Sequence, residues 1–196
     1  MAVWFVCAGA FAQPALQVEN AASFVSGDIA AGSLARLQLI FPGGPVTPID
    51  PATVSARLLT KYFNDPVPIR QILDPSSVLV LIPRDGPLGQ DSVTLSYNPQ
   101  NSVTQSVNIV ATSFGLHSAG FGEAALAQNI SSNGPQLNNL THPARPQDFV
   151  TLWGTGLGSA TADNVTVLLG GHPLSGRLRW AIGRVRGTRS NQFSGA

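Results

Sequence analysis

Gly154-Thr155-Gly156-Leu157-Gly158 follows an apolar stretch, and a glycine-rich turn after a strand is the form a phosphate cradle takes when a helix N-terminus comes next. Here residues 159–164 lead into another β-rich stretch, so the run reads as a tight bend in which glycine supplies positive φ. Leu116-His117-Ser118-Ala119-Gly120 lacks the first glycine of a nucleophile elbow. A triad built on Ser118 needs His142 or His172 beside an acid, and no spacing enforces that. His117, His142 and His172 stand 25 and 30 residues apart, without the close pair typical of a zinc site. Asp85 and Asp91 flank a turn in RDGPLGQD; two carboxylates there suit Ca²⁺, but a hairpin-type turn with solvated acids accounts for the same residues. Asn129, Asn139 and Asn164 head glycosylation sequons, which fit exposed loops. Exposed aromatics are a common means of gripping sugars, so Trp153, Tyr62, Phe63 and Tyr97 form a candidate platform. Trp153 is the one ligand-surface candidate, although it shares a strand face with Phe149 and that face reads more simply as core. No catalytic, cofactor-binding or metal-ligating residue is assigned.

The elements that must position these residues are strands. Glycine (20) and proline (15) punctuate a chain of 196 residues whose intervening stretches favour Val, Ile, Thr and Phe. LARLQLIF, residues 34–41, alternates strictly, with Ala35, Leu37, Leu39 and Phe41 on an apolar face. Further strands are predicted over 54–62, 67–73, 77–82, 92–97 and 104–111, each bounded by Pro, Gly, Asp or Asn. Short strands at this spacing require two sheets that bury one face each, which gives an immunoglobulin-like β-sandwich over residues 18–112. Residues 113–176 supply a shorter group at 149–153 and 165–169, with 123–128 as a strand or a single helical turn. Two or three strands do not make a stable core, so the second module reads as incomplete. The fold class is all-β.

Composition sets the other limits. Hydrophobic residues make up 43% and charged residues 11%, enough to build cores and inconsistent with disorder. The net charge of +1 gives no reason to expect a nucleic-acid partner. Charge is nevertheless uneven: residues 1–176 carry six basic and ten acidic groups, and five of the ten arginines fall at 177–189. Residues 2–12, AVWFVCAGAFA, are too short to span a bilayer, and Ala10-Phe11-Ala12 has the small-x-small form of a signal-peptidase site. Residues 1–17 therefore read as an export leader and linker, truncated at its start because no basic n-region precedes the apolar run. Cys7, the single cysteine, lies inside it, which leaves the mature chain without disulfides or membrane insertion.

VENAASFVSGDIAAGSLARL (18–37), THPARPQDFVTLWGTGLG (141–158) and VTVLLGGHP (165–173) together resemble a family of bacterial secreted proteins. The C-terminal modules of that family run from Asn-Ala-Ala-Ser-Phe through Gly-Thr-Gly-Leu-Gly to Asp-Gln-Ile-Asn-Phe-Gln-Val-Pro. The resemblance implies the IPT/TIG branch of the immunoglobulin-like fold. The first domain departs from it: Leu39-Ile40-Phe41-Pro42-Gly43-Gly44 stands where the family has its glycine-rich turn, and no Asp-Gln-Ile-Asn follows.

Residues 177–196 form an aberrant basic tail with neither turn punctuation nor alternation. Its last ten residues, GTRSNQFSGA, have permitted codons that yield Glu-Leu-Asp-Gln-Ile-Asn-Phe-Gln-Val-Pro once a single base is dropped. The tail is thus expected to be the missing closing motif read out of frame, and the gene's nucleotide sequence near Ser175 decides it. Taken together, the chain reads as a secreted or cell-surface structural or adhesion module without enzymatic activity. Its partner is then a protein or polysaccharide surface; the other readings are a carbohydrate-binding accessory module and, less well supported, a serine hydrolase through Ser118.

Overall fold

The computed structural model describes residues 13–43, 47–118, 125–131, 134–146, 148–158, 160, 165–169 and 171–173. The leader through residue 12 with Cys7, the residues 123 and 124 of the ambiguous 123–128 element, Asn164 and the whole 177–196 tail lie outside them. All regular structure among the described residues is strand.

Nine strands build the sandwich: β1 (Ala15–Asn20), β2 (Ile29–Ala30), β3 (Leu34–Ile40), β4 (Ser55–Leu59), β5 (Asn64–Val67), β6 (Ile69–Asp74), β7 (Ser77–Leu81), β8 (Gly89–Asn98) and β9 (Asn101–Val110). They form one sheet of order β1-β3-β7-β6 and one of order β2-β9-β8-β4-β5. Every pairing is antiparallel except β2 with β9, where Ile29 lies opposite Ile109 and Ala30 opposite Val110 in parallel. Alternation explains the core. In β3, Ala35, Leu37 and Leu39 are buried while Arg36 and Gln38 turn outward, and the facing sheet contributes Val93, Leu95, Tyr97, Val107 and Ile109 to the same cluster. Tyr97 meets Phe41 edge to face at 6.3 Å.

The six strands predicted from alternation correspond to β3, β4, β6, β7, β8 and β9. Three others were not predicted. β2 has two residues. β5 (NDPV) carries Pro66, which the edge position tolerates because its missing N–H faces no ladder partner. β1 runs across the 17/18 boundary, with Leu16 already in the core.

The β6–β7 turn is tied by Asp74. Its carboxylate accepts hydrogen bonds from the Ser76 amide (2.7 Å), the Ser76 hydroxyl (2.8 Å) and the Ser77 hydroxyl, and Arg36 stands 3.8 Å away. Burial pushes this carboxyl up, but the serine hydrogen bonds and the guanidinium outweigh it and hold the pKa below its ordinary value. A depressed folded pKa means stabilisation that is complete above the unfolded value of about 4 and is lost as pH falls through the folded one. Asp74→Ala is expected to cost about 1 kcal/mol in urea unfolding at neutral pH, after allowance for solvent screening, and close to nothing in strong acid.

Contacts divide the chain into two compact units, Met1–Ser159 and Ala160–Ala196. Besides the sandwich, the first holds β10 (Gly115–Leu116), β11 (Ala127–Ser131), β12 (Gly134–Leu137), β13 (Phe149–Leu152) and β14 (Gly154–Thr155). In the second, β15 (Leu168–Leu169) pairs with β16 (His172–Pro173) as a short hairpin.

Candidate functional site

Residues 113–158 are seated on the sandwich by the two motif segments that the sequence sets far apart. After β1 the chain turns through Asn20-Ala21-Ala22-Ser23-Phe24. Asn20, 3% exposed, accepts from the amides of Ala22 (2.9 Å) and Ser23 (3.3 Å) through Oδ1 and donates from Nδ2 to the Ser113 carbonyl at 2.9 Å. Its backbone closes the turn, with Asn20 N–H donating to Val25 O and Phe24 N–H to Asn20 O. Phe24 has φ of 56°, a left-handed conformation rare for a bulky residue; its ring lies under the Arg36 guanidinium at 5.4 Å. Arg36 is also 3.4 Å from Glu19.

The glycine-rich turn closes on this platform from the other side. β10 and β14 pair, with Gly115 opposite Thr155 and Leu116 opposite Gly154, and the Thr155 hydroxyl accepts from the Leu34 amide at 2.9 Å. Ser113 N–H donates to Gly156 O at 2.9 Å. Glycine is required here by space as well as by φ. A Cβ on Gly115 would lie 2.5 Å from Asn20 Oδ1 and 2.7 Å from Ser23 Oγ. Gly156, at φ +95°, would drive one into the Ser113 carbonyl, and Gly158, at φ +59°, into that of Ala111. The run that superficially matches a phosphate loop is therefore a strand-to-strand bend pressed onto neighbouring backbone.

This junction holds the three-stranded sheet β12-β11-β13. Its register places Ile130 opposite both Phe149 and Pro135, and Gln128 opposite both Thr151 and Leu137. Opposed residues share a face, so Ile130, Leu137 and Phe149 lie on one side; Trp153 stands one residue past the end of β13. All four are exposed: Phe149 74%, Trp153 51%, Leu137 47% and Ile130 41%. The expectation that Phe149 and Trp153 are core is corrected, because no layer among the described residues covers that face. The Trp153 backbone is fixed on both sides, accepting from His117 N–H at 2.8 Å and donating to Leu126 O at 3.2 Å.

The remaining members of the aromatic set are not on this face. Tyr97 is core. Tyr62 and Phe63 are exposed beside the β4–β5 turn, 6.5 Å apart edge to face, with Lys61 Nζ 5.3 Å from the Tyr62 ring centre.

Asn129 is corrected as an exposed sequon: it sits in β11, 5% exposed, donating to His142 O and accepting from Asn138 Nδ2, both at 2.8 Å. Asn139 is exposed and caps its own turn by accepting from the Thr141 and His142 amides. His117 and His142 belong to different segments, and His172 to the second compact unit. Among the described residues, no three His, Cys, Asp or Glu side chains gather in a metal-binding group. Ser118 bridges Ala125 as an isolated β-bridge. Asp85 is exposed in its turn, but Asp91 lies in β8 on the inward-facing parity, opposite Val107. Its buried Oδ2 has no hydrogen-bond partner, and burial raises its pKa.

Asn20 and Thr155 lie in the two motifs that carry the resemblance but had no role assigned to them there, and Ser113 was not singled out. The signal that could have found them is the pairing of an Asn-initiated turn with a glycine run, since buried asparagines and Cβ-free positions mark where backbones meet. No protein-family model, curated protein or solved structure was found to match the chain.

Proposed function

We propose that the chain is a non-enzymatic, exported structural or adhesion protein of immunoglobulin-like modules, the second of them incomplete, which works at a protein or polysaccharide surface. The immunoglobulin-like reading is supported by strand order: β1-β3-β7-β6 follows the A-B-E-D sheet of such domains, and β9-β8-β4 follows G-F-C. The observation that carries the functional reading is the exposed face of Ile130, Leu137 and Phe149, with exposed Trp153 just past the end of β13, held on a fixed junction. Contiguous apolar surface on a rigid support marks an interaction surface.

Trp153 favours one further reading, a carbohydrate-binding accessory module, because an exposed indole on a clamped backbone stacks on sugar rings at little entropic cost. Retention on cellulose, chitin and xylan, together with a glycan array, separates the two. Trp153→Ala is expected to leave retention within two-fold of the parent chain. A loss of ten-fold or more with an unchanged unfolding midpoint assigns the face to carbohydrate and displaces the structural reading.

A further inference from the structure

A second surface lies along the flank of the sandwich where β1 of one sheet runs beside β9 of the other. β2 covers only the last two residues of β9, because Gly27, at φ +128°, turns the chain away before the pairing can extend upstream. Upstream of the Asn108 carbonyl, which the Ile29–Ile109 register gives to the Ile29 amide, that β9 edge is unpaired among the described residues. Which groups it presents follows from strand geometry. Val110 O accepts from Ala31 N–H at 2.9 Å and so points away from β8. The N–H and C=O of one strand residue point the same way and alternate along the chain. Asn108, Ser106, Thr104 and Ser102 therefore direct their amides and carbonyls outward, one pair every 6.7 Å or about twice the strand rise. Gln105 Nε2 reaches round to the Ser106 carbonyl at 3.1 Å, the contact an open acceptor makes with a neighbouring side chain when no strand is present.

This edge opens into a cleft of about 510 Å³ with an apolar floor from Leu16, Val18 and Val107 and a rim of side-chain amides that includes Gln17 and Gln105. Among the described residues that line it, the one formal charge is Asp28, already engaged by Asn108 Nδ2 at 2.8 Å. Of the remaining sandwich edges, β5 carries Asp65 and Pro66 and β6 carries Arg70 and Asp74, the usual deterrents to strand addition, while the β1 edge is bridged at Glu19 by Ser26. Residues 101–108, NSVTQSVN, contain no proline and no charge.

We infer that the outer edge of β9 takes up an extended, uncharged peptide strand of a partner protein, parallel to β9 and in line with β2. The edge specifies a polypeptide, because only a second backbone answers donors and acceptors repeated at the strand period. The near-neutral rim selects against charged side chains. The inference is independent of the Phe149–Trp153 face.

The test uses the full chain and a phage-displayed random dodecapeptide library, with Ser106→Pro as the discriminating variant. Proline at 106 deletes an outward N–H and leaves the β8 ladder intact. The expected result is enrichment of uncharged, β-prone peptides whose affinity falls at least ten-fold on Ser106→Pro while the unfolding midpoint is kept. Amide exchange needs no variant: a synthetic copy of an enriched peptide is expected to slow exchange at Ser102, Thr104 and Ser106 at least ten-fold. Enriched peptides that bind without protecting these amides overturn the inference, as does an absence of enrichment. Concentration-dependent dimerisation that Ser106→Pro abolishes also overturns it, by assigning the edge to a second copy of this chain.

Discussion

Gly156→Ala is expected to unseat residues 113–158 from the sandwich. The substitution forces an L side chain to φ +95° and places its Cβ inside the Ser113 carbonyl, which itself accepts from buried Asn20. Left-handed strain in a residue with a Cβ costs about 1–2 kcal/mol, and relieving the overlap requires breaking the Ser113–Gly156 or Asn20–Ser113 hydrogen bond, so a total of about 3 kcal/mol is expected. The loss falls on local opening before global unfolding. Limited proteolysis is expected to cut within residues 113–158 while the sandwich survives, and amide exchange is expected to accelerate at Ser113 and His117 but not at Leu37 or Leu95. Parent-like protection at Ser113 contradicts the junction as described.

Asn20→Ala attacks the same junction from the opposite side and carries an effect of similar size. It strands the buried Ala22 amide and the part-buried Ser23 amide and Ser113 carbonyl, at a cost of about 3 kcal/mol in urea or thermal unfolding. Asn20→Asp separates the two halves of the side chain's role. It keeps the acceptor for Ala22 and Ser23 but sets a carboxylate oxygen against the Ser113 carbonyl, so it is expected to loosen residues 113–158 while leaving the turn after β1 formed. If Asn20→Asp matches the parent in amide exchange at Ser113, the donation from Nδ2 contributes little.

These two substitutions also show what the sequence conveys and where it stops. The sandwich was legible because each long strand must bury one face, and the 34–41 alternation places Ala35, Leu37 and Leu39 inward without further information. β2 and β5 escaped because two-residue pairing and a proline-bearing edge leave no period to detect, and β1 because the leader boundary at 17/18 divides its Leu16–Val18 alternation. Alternation read Phe149 and Trp153 as core, but period speaks to which side a residue takes and not to whether another layer covers that side, and both are exposed. The junction was the least legible feature. Asn20 and Gly156 lie far apart in the chain, and their complementarity is a matter of a carbonyl, an amide and the absence of two Cβ atoms. The β9 edge was hidden for a related reason: an unpaired backbone depends on where a neighbouring strand ends, and Gly27 decides that through its φ alone.

The brief parallel pairing of β2 with β9 has a mechanical consequence. A pull on β2 from its N-terminal end and on β9 from its C-terminal end slides two parallel strands lengthwise. The hydrogen bonds around Ile29, Ala30, Ile109 and Val110 then share the load together instead of parting one after another as in a peeled hairpin. The shortest strand of the sandwich thus acts as a shear latch against lengthwise tension.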